Sequence, residues 1–176
     1  MGGPGLLLLR LVVGGIFIGH GTQKLFGWFG GGGPEGTAGM VEGLGYRSAR
    51  TMAFVAGIAE AVGGVLLVLG LFTPVGCVAI IAMMTNAILA VHVQKGFWNT
   101  AGGIEFPLTL LAAAACLGFT GPGRISLDGP LGIVVKGPIP GLVVLVVGVV
   151  IGVAVYFFGR YRRDEMAQTR PLSPAA

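Results

Sequence analysis

The sequence predicts an all-α fold, a polytopic membrane helix bundle, and three observations support this prediction. Hydrophobic residues make up 54% of the 176 residues and charged residues only 10%, whereas a typical soluble domain is about one quarter charged. The mean hydropathy is +0.89. Five apolar runs are long enough, or nearly so, to cross the roughly 30 Å hydrocarbon layer of a bilayer. These runs are residues 6–23, 51–72, 74–93, 103–119 and 140–158.

The first run carries a polar stripe along one helix face. At about 100° per residue, the members of this stripe fall within roughly a quarter turn of one another. They are Arg10, Phe17, Gly21 and Lys24, with His20 beside them. The preceding MGGPG segment has no basic residue, which argues against a cleaved signal peptide, so we expect the first helix to be retained.

A glycine-rich connection, residues 25–50, follows the first helix. Its first aromatic side chains are of the kind found at the membrane–water interface. They are Phe26, Trp28 and Phe29. The apolar residues Met40, Val41 and Leu44 predict a short helix lying on the membrane surface.

The second run contains Glu60 among small residues. Ala53, Gly57 and Ala61 have the spacing that lets membrane helices approach closely. We therefore expect Glu60 to face a neighbouring helix, since an unpaired charge in mid-membrane costs about 2.5–3.5 kcal/mol. Because arginine has a long side chain, we predict an intramembrane Arg10–Glu60 ion pair across a helix contact.

Four ionisable residues are expected near the same ends of the first, third and fourth helices. They are His20, Lys24, His92 and Glu105. Such a cluster can form a polar pocket that hydrogen-bonds a quinone carbonyl, relays a proton or holds a small anion. The alternatives are structural: Lys24 reaches the interface, a histidine bonds at a helix end, and Glu105 favours a helix N-terminus. The spacing of these residues does not preorganise a metal site, so none is predicted.

The two cysteines, Cys77 and Cys116, lie near the outer ends of the third and fourth helices. At matched depth they could pair as redox thiols if those helices touch. The alternative is that both are inert packing residues, which is the usual role of thiols in apolar helices.

The connection over residues 121–140 is rich in glycine and proline, and Arg124 and Asp128 could form a weak pair within it. The fifth run that follows has no charged residue. Gly148 and Gly152 in that run form a helix-packing motif. We predict that this helix is an anchor or a homodimer face rather than part of a site.

The placement of basic residues predicts the orientation in the cell membrane. With a cytoplasmic C-terminus, eight basic residues fall inside and two, Arg124 and Lys136, fall outside. The inner set is Lys24, Arg47, Arg50, Lys95, Arg160, Arg162, Arg163 and Arg170. The positive-inside rule therefore predicts a multi-pass protein with its N-terminus outside and residues 160–176 forming a basic, disordered cytoplasmic tail. The net charge of +4 follows from this topology and does not indicate a nucleic-acid partner.

Several motifs in order resemble the DoxX family of small bacterial and archaeal membrane proteins. They are LLLRLVVGGIFIGHGTQKLFGWFGGGG, GIAEAVGG around Glu60, FWNTAGGIEFPL around Glu105, and GPGRISLD. The resemblance implies a DoxX-like four-helix core over residues 1–132, to which residues 133–159 add a fifth helix. It also implies a redox role, because one branch of the family resembles the small DoxD-type subunit of thiosulfate:quinone oxidoreductase and others are linked to thiol and oxidative stress.

The sequence is compatible with three functions. The first is a subunit of a membrane redox system, in which the polar pocket handles a quinone or a proton and a partner protein supplies the redox centre. The second is a small-solute or proton transporter that uses Arg10, Glu60 and the inner cluster as stations. The third is a scaffold that recruits soluble redox enzymes to the lipid membrane.

Overall fold

The computed structural model describes residues 3–160, and within them the chain is almost entirely helical. Five apolar helices and one short helix follow one another along the sequence. They are α1 (Gly3–Phe26), α2 (Gly33–Gly43), α3 (Ala49–Leu69), α4 (Thr73–Ala87), α5 (Glu105–Thr120) and α6 (Pro138–Gly159). The chain after α4 continues as a π-helical turn (Ile88–His92) and a 3-10 turn (Val93–Lys95). The predicted polytopic helix bundle is confirmed.

Four helical segments in the described part of the chain are long and apolar enough to cross a membrane, and α5 is a shorter apolar helix. The spanning segments are Gly3–Phe26, Ala49–Leu69, Thr73–Lys95 and Pro138–Gly159. Their outward faces carry large exposed hydrophobic side chains, among them Phe54, Val143 and Val150. Such surfaces suit a lipid environment, where apolar exposure has no hydration cost.

Helices α1 and α3 pack backbone against backbone because glycines face each other across the contact. A Cβ added to Gly14 would lie 2.6 Å from the carbonyl oxygen of Gly64, and one added to Gly21 would lie 2.5 Å from the amide nitrogen of Ala61. No side chain fits at either place. The two helices run antiparallel, and these glycines fix their register.

The core lies between α4 and its neighbours. Phe17, Leu67, Ile80, Ile81 and Leu117 are completely buried there. These side chains come from α1, α3, α4 and α5, so one apolar core joins the four helices.

The additional helix, α6, packs on α4 within the same chain. A Cβ added to Gly148 would lie 2.6 Å from Ile81 Cγ2, and one added to Gly152 would lie 2.6 Å from the carbonyl oxygen of Ala82. The predicted glycine packing motif therefore faces α4, so these glycines do not form a homodimer face. The predicted tail falls almost wholly on residues 161–176, which lie outside the described residues.

The bundle has two ends, named here by the charged residues of α1. The Arg10 end includes the α3–α4 turn and the connection after α5. The Lys24 end includes α2, the start of α3 and the loop between α4 and α5. Within residues 3–160, Lys24, Arg47, Arg50, Lys95 and Arg160 lie at the Lys24 end, and Arg124 and Lys136 at the Arg10 end. Which end faces the cytoplasm stays a prediction.

Candidate functional site

Arg10 is buried, with 1% of its surface exposed, and its guanidinium donates only to backbone carbonyls. Nε donates to Leu67 O at 2.7 Å and Nη2 to Val68 O at 2.9 Å, both at the end of α3. Nη1 donates to Pro122 O at 2.7 Å and Ile125 O at 2.6 Å in the connection after α5. Carbonyls at a helix C-terminus lack their regular intrahelical partners, so Arg10 supplies a donor to Val68 O and a second donor to Leu67 O, which also accepts from Gly70 N at 3.1 Å.

Asp128 completes this end of the bundle. The carboxylate is fully buried and accepts hydrogen bonds from Phe72 N at 2.7 Å, Thr73 N at 3.0 Å and the Thr73 hydroxyl at 2.7 Å. It therefore caps α4 from a distant part of the chain. Arg124 is exposed, and the weak Arg124–Asp128 pair expected from the sequence is replaced by these bonds.

Glu60 pairs with Lys24, whose Nζ donates to Glu60 Oε2. The Lys24 side chain is 19% exposed and that of Glu60 is 5% exposed. The predicted Arg10–Glu60 ion pair is therefore wrong. The α1–α3 register places Glu60 beside Lys24, while Arg10 lies about 21 Å along α1 from Lys24, at 1.5 Å per residue over fourteen residues.

His20 is exposed and lies close enough to Glu60 to interact with it electrostatically. It precedes Lys24 by four residues, so the two side chains lie on the same face of α1. Gly21 and Gly57 allow α1 and α3 to approach closely here. The structure thus brings together three ionisable side chains, His20, Lys24 and Glu60, within the membrane-spanning part of the bundle.

His92 and Glu105 hold the loop between α4 and α5. His92 Nδ1 lies 2.7 Å from Gly102 O, and Glu105 Oε2 accepts a hydrogen bond from Asn99 N at 2.8 Å. Among the interactions of residues 3–160, none joins either side chain to His20 or Lys24. The four predicted pocket residues therefore fall into two groups with different partners.

A groove with a volume of 370 Å³ opens at the Lys24 end. Its lining comes from α1, α2 and α3: Lys24, Leu25, Pro34, Arg50, Thr51 and Phe54. This volume lies within the range of small-molecule sites, roughly 300–1,000 Å³. Sequence reasoning missed the groove, because it forms only where three helix ends meet.

The cysteines lie in different surroundings. Both are free thiols, Cys77 buried in the core and Cys116 exposed on α5. They form no disulfide in this structure. Among the described residues, no group of three or more His, Cys, Asp or Glu side chains is arranged to hold a metal ion.

Comparison with known proteins identifies a matching family and several relatives of this chain. The family model described as DoxX matches residues 5–93. The chain is 34% identical to the "Uncharacterized membrane protein Rv3486" of Mycobacterium tuberculosis over 72% of this chain and 81% of that protein. It is 35% identical to the "Putative oxidoreductase CatD" of Bacillus subtilis over 70% of this chain and 84% of that protein.

A third relative is the "Inner membrane protein YphA" of Escherichia coli, 30% identical over 70% of this chain and 87% of that protein. No solved structure gives a significant match. The match to the family model and the length of these alignments agree with the motifs and with the helical bundle. This multi-pass membrane protein belongs to the DoxX family.

Proposed function

We propose that this protein is a membrane subunit of a redox system and that His20, Lys24 and Glu60 handle a quinone and its protons. The observation that carries the proposal is the Lys24–Glu60 ion pair in the apolar α1–α3 contact, with exposed His20 beside it. Ionisable groups within membrane helices are costly and usually serve a function. The name of the relative from Bacillus subtilis, "Putative oxidoreductase CatD", supports a redox role.

The chemistry of these three side chains suits a quinone headgroup. Lys24 donates one hydrogen bond to Glu60 and retains two further donors for a quinone carbonyl. Reduction of a quinone to a quinol takes up two electrons and two protons. In this proposal the electrons come from a redox centre on a partner protein, and Glu60 and His20 each take up one proton from water and pass it to the reduced quinone.

The exposure of His20 gives the quinone an entry route from the bilayer. Lys24 and Glu60 are shielded by the α1–α3 contact, whereas His20 is exposed on the same face of α1. A quinone that approaches through lipid meets His20 first, and its headgroup then reaches Lys24. His92 and Glu105 instead hold the loop between α4 and α5 and are not part of this proposed site.

The test is binding of a short-tailed benzoquinone to the purified full-length protein in lipid nanodiscs. We expect His20→Ala to weaken binding about tenfold, which corresponds to the loss of one hydrogen bond of ~1.4 kcal/mol. His92→Ala is the matched control, because His92 bonds to Gly102 within its own loop. Unchanged quinone affinity in both His20→Ala and Glu60→Gln would reject the site. If His92→Ala lost as much affinity as His20→Ala, the quinone would bind near the α4–α5 loop and the proposed site would be wrong.

A proton transporter is a second candidate, favoured by the same observation of a titratable pair between two membrane helices. In proteoliposomes it predicts a proton flux, driven by a pH gradient, that Glu60→Gln abolishes. A redox subunit predicts quinone binding without such a flux. The two measurements on one preparation therefore separate the candidates.

A further inference from the structure

The groove at the Lys24 end combines cationic side chains with an apolar wall. Lys24 and Arg50 supply the charge, and Leu25, Pro34 and Phe54 supply apolar surface. Arg50 and Phe54 are four residues apart on α3, so they follow each other along one helix face. A ligand that fills this groove meets positive charge at one end and hydrocarbon-like surface at the other.

These residues lie at the ends of two apolar helices, where a bilayer has its boundary between headgroups and hydrocarbon. Lys24 lies in the last turn of α1 and Arg50 in the first turn of α3. Phe54 lies one turn deeper and is 60% exposed on the lipid-facing side of α3. The groove therefore runs from the membrane surface into the bilayer, as an amphipathic ligand requires.

The charges leave room for an anion. Arg50 Nη2 lies 3.5 Å from Glu35 Oε1, and both side chains are more than four-fifths exposed. An exposed pair of this kind contributes little, on the order of 0–1 kcal/mol, so a phosphate can displace Glu35 from Arg50. Lys24 is held in place by Glu60 and retains donors on the groove side.

We propose that this groove binds the phosphate of an anionic phospholipid. The phosphate lies between Arg50 and Lys24, and an acyl chain follows Leu25 and Phe54. A soluble glycerol phosphate shares the phosphate chemistry, but the apolar wall favours the lipid. This site shares Lys24 with the proposed quinone site, but Arg50, Glu35 and Phe54 belong to the groove alone, so a change at Arg50 tests the groove without altering the quinone site.

The experiment is native mass spectrometry of the full-length protein in one detergent, titrated with dioleoyl phosphatidylglycerol or dioleoyl phosphatidylcholine. These lipids have identical chains and differ in net charge. We expect the first phosphatidylglycerol to bind at least about fivefold more tightly, and Arg50→Gln to remove that preference, as one near-surface basic residue is worth about this factor. Glu35→Gln should increase the affinity, because it removes the carboxylate that competes for Arg50.

Lys95→Gln is the matched control, since Lys95 is an exposed cation at the same end that does not line the groove. Equal binding of the two lipids to the wild type, or an equal loss in Lys95→Gln and Arg50→Gln, would overturn the proposal. Competition by sn-glycerol 3-phosphate at equal concentration would assign the phosphate to a soluble ligand instead of a lipid. Quinone binding is measured on the same Arg50→Gln protein, and its retention separates failure of this site from failure of the proposed function.

Discussion

The two ends of α1 carry buried charges that are satisfied in opposite ways. At one end Arg10 donates four hydrogen bonds to backbone carbonyls, and its surroundings leave 1% of it exposed. At the other end Lys24 pairs with a single carboxylate, that of Glu60, and keeps 19% of its side chain exposed. The same helix therefore holds one charge that uses four of its five N–H donors and one that uses a single donor of three.

This difference indicates a structural role for Arg10 and a functional role for the Lys24–Glu60 pair. The carbonyl oxygens that accept from Arg10 cannot take up a proton, so these hydrogen bonds have no alternative protonation state to use in chemistry. The nearby Asp128 carboxylate is fully buried and bonded to the start of α4. The carboxylate of Glu60 can gain a proton, and Lys24 can exchange one partner for another. A charge in a membrane helix thus indicates function when its partner is itself titratable and its surroundings are open.

Replacement of Arg10 should have the largest effect of the changes considered. Arg10→Met removes one donor from each of four carbonyls at the Arg10 end, although Leu67 O keeps its bond from Gly70 N. We expect the free energy of unfolding to fall by about 3–5 kcal/mol, since each buried carbonyl left without a donor costs about 1–3 kcal/mol. Thermal unfolding in detergent, followed by circular dichroism and by the size-exclusion profile, measures this loss.

Arg10→Lys should lose nearly as much stability, because one ammonium group cannot reproduce the planar fork that reaches four carbonyls. Arg124→Gln is the control, since Arg124 is an exposed arginine at the same end. A stable Arg10→Lys protein would show that charge alone, rather than hydrogen-bond geometry, holds this end together.

Changes to the Lys24–Glu60 pair should reduce stability less than changes to Arg10, and the effects of the two residues should depend on each other. Lys24→Met leaves Glu60 buried without its partner, and Glu60→Gln leaves Lys24 without its carboxylate. Each single change should cost about 1–3 kcal/mol, and the double change should cost less than the sum, because neither charge is then left unpaired. A double-mutant cycle by thermal unfolding in detergent measures the coupling. Additive costs would mean that the two side chains are independently solvated and would weaken the proposed site.

The helices themselves could be predicted from the sequence almost to their ends. The expected runs at residues 74–93 and 140–158 compare with segments at Thr73–Lys95 and Pro138–Gly159. The reason is that a membrane helix needs a minimum apolar length, and that proline and glycine mark where it begins and ends. The fold class follows directly from these runs.

The partners of the charged residues could not be predicted in the same way. Arg10 binds backbone carbonyls, which have no side-chain identity in the sequence. Glu60 pairs with Lys24 rather than with Arg10 because of the register of α1 against α3. The close approach of the two helices at Gly14 and Gly21 determines this register. Small-residue spacing indicated that helices pack closely, but it did not indicate which residues lie opposite each other.

Replacement of Tyr46 should have the smallest effect on stability. It tests whether contacts outside the membrane helices also stabilise the Lys24 end. The buried Tyr46 hydroxyl bonds to Asn86 Oδ1, and the neighbouring Arg47 N donates to Gly159 O at 2.7 Å, so the α2–α3 connection is joined to α4 and α6. Burial raises the pKa of Tyr46 above its usual range, although the bond to Asn86 and the charge of Arg160 lower it. Tyr46→Phe should cost about 1 kcal/mol at neutral pH through the lost hydrogen bond.

The pH dependence of the free energy of unfolding tests the burial of Tyr46 more specifically. Tyrosine in the unfolded chain loses its proton near pH 10, about its ordinary value, while folded Tyr46 retains it. The wild-type free energy of unfolding should therefore be unaffected by Tyr46 at lower pH and should fall as the pH rises above 10, because the unfolded state then binds fewer protons than the folded state. Tyr46→Phe should reduce that alkaline fall, and Tyr156→Phe, whose ring also lies beside Arg160, is the matched control. An unchanged alkaline slope in Tyr46→Phe would mean that this connection opens to water before the bundle unfolds. The hydrogen bonds of the Arg10 end would then be the ones that persist until the helices separate.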